Sequence, residues 1–446
     1  MLAKNETIMA NRLIEKVKNN DFTLCVIGIG RVGLPLALVF ANSGIKVIGI
    51  DKDKDYVEKI KGGEKPFIEA GIEEFLNNPN FTPTTDFQWG TETSDVLIFC
   101  VGTPLTTDYN PDYSQLYSAL SEMTRASTEG KLIILRSTVS PGTLEDNVIP
   151  FLEKKTGLKA GKDFLAAVCP ERIVEGKAIE EIEKLPEIIG GIDSPSTEIA
   201  AELFRKINPD KKILKTTPKA AELAKLFTNV YRYVNFALAN EFALLAEEFG
   251  QDASEIINIL NDGYPRGGVP KPGLTGGPCL SKDGYFLLSN TAFPDFILLA
   301  SRLNEFIPQY IVNRLKKRLK ERGKSVDKCK IAVLGLSFKA GMDDVRYSPS
   351  IKIVKLLENE NAQVTKHDPY LKDTETLQDA IADTDVIVLA TNHPEFERIA
   401  ETINHLNKHK PGCILIDCWG AINSDEAKRY GFDYIRFGSG KNYEKI

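Results

Sequence analysis

The segment Cys25–Val26–Ile27–Gly28–Ile29–Gly30–Arg31–Val32–Gly33–Leu34–Pro35 leaves the backbone few options. An apolar run ends in glycines spaced G-x-G-x-x-G and passes into a helical pattern. The spacing predicts a strand, a tight turn and a helix. Gly28 permits the turn, Gly30 lets the backbone approach a pyrophosphate, and Gly33 lets the helix pack against the strand. The helix N-terminus then offers N–H groups and partial positive charge to phosphates. The next apolar run, KVIGID, ends in Asp51, 21 residues beyond Gly30. That is close to the ~20 at which a carboxylate meets the adenosine ribose. A carboxylate there accepts from both ribose hydroxyls and repels a 2′-phosphate, so the expected cofactor is NAD rather than NADP.

The alternation continues beyond the turn. LCVIGIG, KVIGID, VLIFCVG, KLIILRS, FLAAVCP and EIIGG are short aliphatic runs separated by amphipathic segments, the pattern of a parallel sheet covered by helices on both faces. From about 218 to 249 the chain instead reads as one helix of roughly thirty residues, against an average of ~11–12. Helical patterns continue to about 320, broken by the Gly/Pro-rich GYPRGGVPKPGLTGGP. ERGKSVDKCK then reads as a polar linker, and alternation restarts with KIAVLGL, QVTKHDP, DVIVLAT and CILIDCW. At 446 residues the chain exceeds one ordinary core. The expected class is α/β: a Rossmann-type domain over 1–215, a central all-α region over 216–322, and a second Rossmann-like domain over 323–446. The last has VLGLSFK but no second G-x-G-x-x-G, so it is not expected to hold a dinucleotide in the same way.

Composition narrows the functional classes. The net charge of −6 argues against nucleic acid or an anionic membrane as partner. The first twenty residues are too polar for a signal peptide and read as a short amphipathic helix. No apolar stretch approaches the ~20 residues that span a bilayer, so a cytoplasmic protein is expected. The seven cysteines form no CxxC pair and no Cys/His cluster at zinc spacing, so no metal is expected. Most lie in apolar runs (Cys25, Cys100, Cys169, Cys413, Cys418) and read as small buried hydrophobes. All four histidines lie beyond residue 366, which excludes His-centred chemistry from the first two thirds.

Cys279 is different. It sits in Gly276–Gly277–Pro278–Cys279–Leu280–Ser281–Lys282–Asp283. Pro278 suits the first position of a helix. A thiol at a helix N-terminus near a lysine has its thiolate stabilised, and Asp283 lies one turn on, placed to position water or act as a base. The alternative is a half-buried structural cysteine beside a solvated Lys–Asp pair. A nucleophilic cysteine beside NAD implies two-stage oxidation, from alcohol to aldehyde, then through a thiohemiacetal and thioester to a carboxylate. On the long helix, Glu222, Lys225, Asn229 and Arg232 share one face. Taken alone that face reads as solvated, and so long a helix suggests a subunit interface.

Together the motifs GIGRVGLPLA, VGTP, STVSPGT, CPERIVEG, AELAKLFTN, GGPCLSKD and GLSFKAGMDDVRYSPS resemble the UDP-glucose/GDP-mannose dehydrogenases, which make nucleotide-sugar uronates. The resemblance runs from about Leu24 into the C-terminal region. It implies an NAD domain, a central helical dimerisation region, a C-terminal domain for the nucleotide sugar, and a homodimer or a higher oligomer of dimers. It makes Cys279 the nucleophile, with Lys225 and Asn229 holding the reacting C6 oxygen. Asp283 assists proton transfers, and Glu171 with Thr138 positions water. It assigns Arg31, Val32, Asp51, Thr103, Thr138 and Arg346 to NAD, with Glu175 and Lys282 near the nicotinamide. Phe338 and Lys339 match a substrate-binding pair, and Arg232, Tyr264 and Arg266 match contacts to sugar and diphosphate. Arg172, Ile173 and Gly276 join them as substrate contacts, while Arg172 and Arg232 also read as surface ion-pair residues. The Glu171–Arg172 form of the 170–177 segment is similar to the branch acting on 2-acetamido sugars, above all UDP-N-acetyl-D-mannosamine, with UDP-N-acetylglucosamine or UDP-glucose as alternatives. Two other readings compete: a β-hydroxyacid-type dehydrogenase, which leaves GGPCLSKD and the second α/β domain unexplained, and an NAD-sensing binding protein, which needs no Lys225/Asn229/Cys279 set.

Overall fold

The computed structural model describes residues 2–289 and 291–440, with side chains from residue 9 onward. The chain forms two compact units, one of residues 1–228 with 285–290, the other of 229–284 with 291–446.

The first unit is built on eight strands: β1 (Thr23–Ile27), β2 (Lys46–Ile50), β3 (Phe81–Thr84), β4 (Val96–Phe99), β5 (Leu132–Leu135), β6 (Leu165–Val168), β7 (Glu187–Gly191) and β8 (Ile213–Thr216). Their order is β3-β2-β1-β4-β5-β6-β7-β8. β1, β4, β5 and β6 are almost wholly buried, which is why they read as unbroken aliphatic runs rather than alternating ones. The short, polar β3 and β8 carry no such signal and were not expected. The expected all-parallel sheet needs one correction, because β7 runs antiparallel to β6. Arg136, just after β5, binds both Glu171, just after β6, and Glu187, the first residue of β7. Both glutamates lie at the same end of the sheet, from which the antiparallel β7 runs back.

The second unit carries β9 (Lys330–Leu334), β10 (Gln363–His367), β11 (Val386–Leu389), β12 (Ile414–Asp417) and β13 (Asp433–Arg436), ordered β10-β9-β11-β12-β13 and all parallel. β13 was not expected from the sequence. The Asp295–Glu321 helix lays Ile307, Ile311, Val312, Leu315 and Leu319 into this unit's core. It runs into the expected linker, leaving only a 3-10 turn, Val326–Lys328, before β9. The two sheets use similar turns differently. Gly28 N–H donates to Ile50 O at 2.8 Å, and Gly335 N–H donates to His367 O at 2.8 Å. Asp51 follows β2 half-buried, its carboxylate accepting from Asp53 N at 3.1 Å. Asp368 follows β10 but is 1% exposed, and its Oδ2 accepts the amides of Leu336 (2.6 Å) and Ser337 (3.1 Å). The acid of the second turn is thus taken up by its own backbone, whereas Asp51 is only half-buried.

The long helix forms as expected, over Pro218–Glu248. No helix among the described residues is long and apolar enough to cross a membrane.

Candidate active site

In the first unit the glycine turn has the geometry that a pyrophosphate requires. Gly28 has φ +88°, a region that costs glycine little. A Cβ at Gly33 would lie 2.0 Å from Gly28 O, whereas one at Gly30 would meet nothing within 4 Å. Position 33 is therefore closed by backbone and position 30 opens onto space, a cradle that fits a dinucleotide. The Gly33–Asn42 helix begins there, with Val32 as its N-cap residue. Tyr56 OH donates to Ile29 O at 2.9 Å and braces the turn, support that the sequence did not reveal. Arg31 lies over the Phe67 ring at 5.0 Å, with Glu175 at 3.9 Å from its guanidinium, so two residues expected at the cofactor are neighbours. At the carboxyl edge, where ligands of such sheets bind, Thr103 Oγ1 donates to Thr138 O at 2.7 Å.

Glu171 is 8% exposed and held on both oxygens. Its Oε2 accepts from Arg136 Nε at 2.7 Å, and its Oε1 from the amides of Arg172 (2.6 Å) and Ile173 (2.9 Å). Burial opposes its ionisation, but Arg136 and those amides outweigh it and hold the carboxyl below the usual range. Burial, only partly offset by Arg136, lifts Glu187 above that range. Arg172 donates to Pro186 O. Ile173 packs against the core. Neither Arg136 nor Glu187 is singled out by the sequence, because Arg136 lies 35 residues from Glu171 and 51 from Glu187 along the chain.

The polar face of the long helix is a correction. Glu222, Lys225 and Asn229 are 2%, 8% and 5% exposed, and only Arg232 faces solvent. Within the first unit, Glu222 accepts the amides of Gly142 (2.5 Å) and Leu144 (2.9 Å). Burial pushes its carboxyl up to about 7 despite those bonds. Lys225 lies one turn before Asn229 on the same helix face.

In the second unit, Cys279 is the only exposed cysteine of the seven. The helix it opens is a single turn, Leu280–Asp283, with Cys279 as N-cap residue. Pro278 therefore precedes the helix instead of filling its first position. A one-turn helix has few aligned peptide dipoles, so little thiolate stabilisation comes from that source. Asp283 does lie alongside, its N–H donating to Cys279 O at 3.0 Å. Its carboxylate, fully buried, accepts from Asn229 Nδ2 at 2.6 Å and lies 3.2 Å from Lys282 Nζ. A carboxylate only accepts, so it fixes which end of the Asn229 amide points toward it. Asn229, Lys282, Asp283 and Cys279 are thus brought together.

The glycines before the thiol are packing requirements. A Cβ at Gly276 would lie 2.5 Å from Tyr347 O, and one at Gly277 would lie 2.6 Å from the Phe338 ring. Phe338 and Lys339 are half-buried. Arg266 lies over the Tyr264 ring at 4.6 Å and donates to its hydroxyl at 2.9 Å, so the two form an exposed pair. Arg346 is exposed, its guanidinium on the Asp344 carboxylate at 2.6 Å. Among the described residues no group of three or more His, Cys, Asp or Glu is placed to hold a metal ion.

Comparison with known proteins places this geometry. Residues 22–208 match the NAD binding domain of the UDP-glucose/GDP-mannose dehydrogenase family, 219–304 its central domain, and 332–424 its UDP binding domain. A UDP-N-acetyl-D-mannosamine dehydrogenase of Pyrococcus horikoshii is 39% identical over 402 residues, covering 88% of this chain and 94% of that protein. The solved structure of a UDP-D-ManNAc dehydrogenase from the same organism aligns with a TM-score of 0.88 at 36% identity, over 94% of this chain and all of that one. The NDP-N-acetyl-D-galactosaminuronic acid dehydrogenase of Methanosarcina mazei aligns with a TM-score of 0.80 at 29% identity, over 97% and 99%.

Proposed function

The chain belongs to the UDP-glucose/GDP-mannose dehydrogenase family, an NAD-using group, and from that premise we propose that it is a cytoplasmic enzyme oxidising the C6 alcohol of UDP-N-acetyl-D-mannosamine to the carboxylate. The balance is R–CH2OH + 2 NAD⁺ + H2O → R–COO⁻ + 2 NADH + 3 H⁺. Bound NAD supplies the hydride acceptor at each of the two oxidation stages. The glycine turn and Asp51 hold it, and Arg31, Val32, Thr103, Thr138, Glu175, Lys282 and Arg346 complete its contacts. Phe338 and Lys339 hold the nucleotide, and Arg172, Ile173, Arg232, Tyr264, Arg266 and Gly276 line the sugar and diphosphate.

Lys225 and Asn229 hold the C6 oxygen. As the alcohol becomes an aldehyde, Lys225 manages the hydroxyl proton. Cys279 sulfur then adds to the aldehyde carbon, and the oxygen of the thiohemiacetal stays between the Lys225 and Asn229 donors, groups best placed where negative charge develops. Loss of the second hydride leaves a thioester on Cys279. Asp283 assists proton transfer at the thiol and orients the Asn229 amide. Glu171 and Thr138 position the water whose attack breaks the C–S bond and returns the thiol.

The observation that carries this reading is Cys279: the one exposed thiol of the seven cysteines, with Asp283 a turn away and Asn229 on that carboxylate. The acetamido sugar is supported by the Glu171–Arg172 form and by the mannosamine-acting relative at 39% identity. Incubation with NAD and a panel of UDP-sugars, followed by NADH absorbance, is expected to yield two NADH per UDP-N-acetyl-D-mannosamine. One NADH with free aldehyde would overturn the mechanism. Turnover of only UDP-N-acetylglucosamine or UDP-glucose would move the substrate. No NADH from any sugar would favour an NAD-sensing protein.

The second unit also exposes Tyr231, Phe249 and Ile259 at 71%, 76% and 71%. Together with the length of the Pro218–Glu248 helix, these exposed side chains support a homodimer, or a higher oligomer of dimers. Sedimentation is expected to give at least a dimer, and a monomer at micromolar concentration would count against it.

A further inference from the structure

His393 is buried in the second unit and takes no part in the steps above. Its Nδ1 accepts the N–H of Gly341 at 3.0 Å. A backbone N–H only donates, so Nδ1 carries no proton and the ring hydrogen sits on Nε2. Nε2 lies 3.0 Å from Asp368 Oδ2 and 3.3 Å from Ser337 Oγ. The same Asp368 oxygen accepts the amides of Leu336 and Ser337, and its Oδ1 accepts that of Tyr370 at 2.9 Å. The chain from 336 to 341 is therefore gripped at both ends from beneath, by Asp368 at one and by His393 at the other. Between the grips stand Phe338 and Lys339. Phe338 in turn packs on Gly277, two residues from Cys279, closely enough to exclude a Cβ there.

We propose that His393 and Asp368 are a positioning pair, pre-setting the 336–341 loop so that Phe338 and Lys339 receive the UDP moiety without a reordering cost. This rests on the reading of Phe338 and Lys339 as nucleotide contacts. A loop already fixed before binding loses little conformational freedom on binding, and affinity rises accordingly. The pair acts through the loop and touches no reacting atom, so its removal weakens binding while leaving the chemical step intact.

The test compares His393→Phe and His393→Asn in the full chain, with UDP as the titrant. Phenylalanine keeps an aromatic ring and loses every hydrogen bond of the imidazole. Asparagine keeps an acceptor near the place of Nδ1. His393→Phe is expected to raise the Kd for UDP and the KM for the UDP-sugar about tenfold, with kcat within about twofold, and His393→Asn is expected to recover most of the loss. Unchanged UDP affinity in His393→Phe, or equal losses in both variants, would overturn the pair's role. If wild type binds no UDP at all, the nucleotide reading itself falls, and this inference with it. A second measurement needs no variant. In the wild type free of UDP, amide exchange at Leu336, Ser337 and Gly341 is expected to be protected. Exchange at unstructured rates until UDP is added would show that the loop is ordered by ligand and not by the pair.

Discussion

Replacing Cys279 by alanine is expected to abolish carboxylate formation while leaving NAD affinity and the melting temperature at wild-type values. The side chain is exposed and lies outside the buried core clusters, and surface substitutions of that kind shift stability by about 0.5 kcal/mol or less. Chemistry is where the loss falls. Without the sulfur there is no thiohemiacetal, so the aldehyde carbon has no covalent tether from which to give a second hydride. Turnover to the uronate is expected to fall by ~10³-fold or more, the scale on which losing a nucleophile acts. NADH absorbance and product analysis by mass read this directly. Full activity in the alanine variant would make the thiol structural and remove the mechanism proposed above.

Replacing Arg136 by methionine is expected to be the most damaging single change to the first unit's stability. The guanidinium is 2% exposed and binds Glu171 and Glu187, whose side chains are 10% and 8% exposed. It also donates to Cys169 O at 3.0 Å and lies over the Phe204 ring. Removing it strands two buried carboxylates, and breaking a buried ion pair from one side costs about 3–5 kcal/mol. Denaturant unfolding should show that loss. Adding Glu171→Gln and Glu187→Gln to Arg136→Met should recover much of it, because the uncompensated charges go with the substitutions. A loss below about 1 kcal/mol would mean that water already screens the cluster.

Much of this protein is readable locally. The G-x-G-x-x-G turn, Asp51 at the end of β2, the long helix and Cys279 standing apart from the buried cysteines all follow from spacing over a few residues. Steric limits, helical period and strand burial act at that range. The strands that escaped notice, β3, β8 and β13, are short and partly polar, so burial leaves no aliphatic run to mark them. The antiparallel β7 is not legible for another reason: an aliphatic run does not encode strand direction, and the Arg136–Glu171–Glu187 cluster at its start joins residues far apart in the chain. The polar face of the long helix looked solvated because charge alone does not say what packs against it.

Sequence pattern thus determined the fold class, the dinucleotide turn and the thiol. Tertiary structure alone decided which polar groups are buried, and with what. Glu222 caps the 142–144 amides, Asn229 is oriented by Asp283, and Asp368 is turned inward onto Leu336, Ser337 and His393. The physical reason is the same in each case. A buried charge or amide requires a partner, and those partners come from segments far along the chain, which no local spacing reveals.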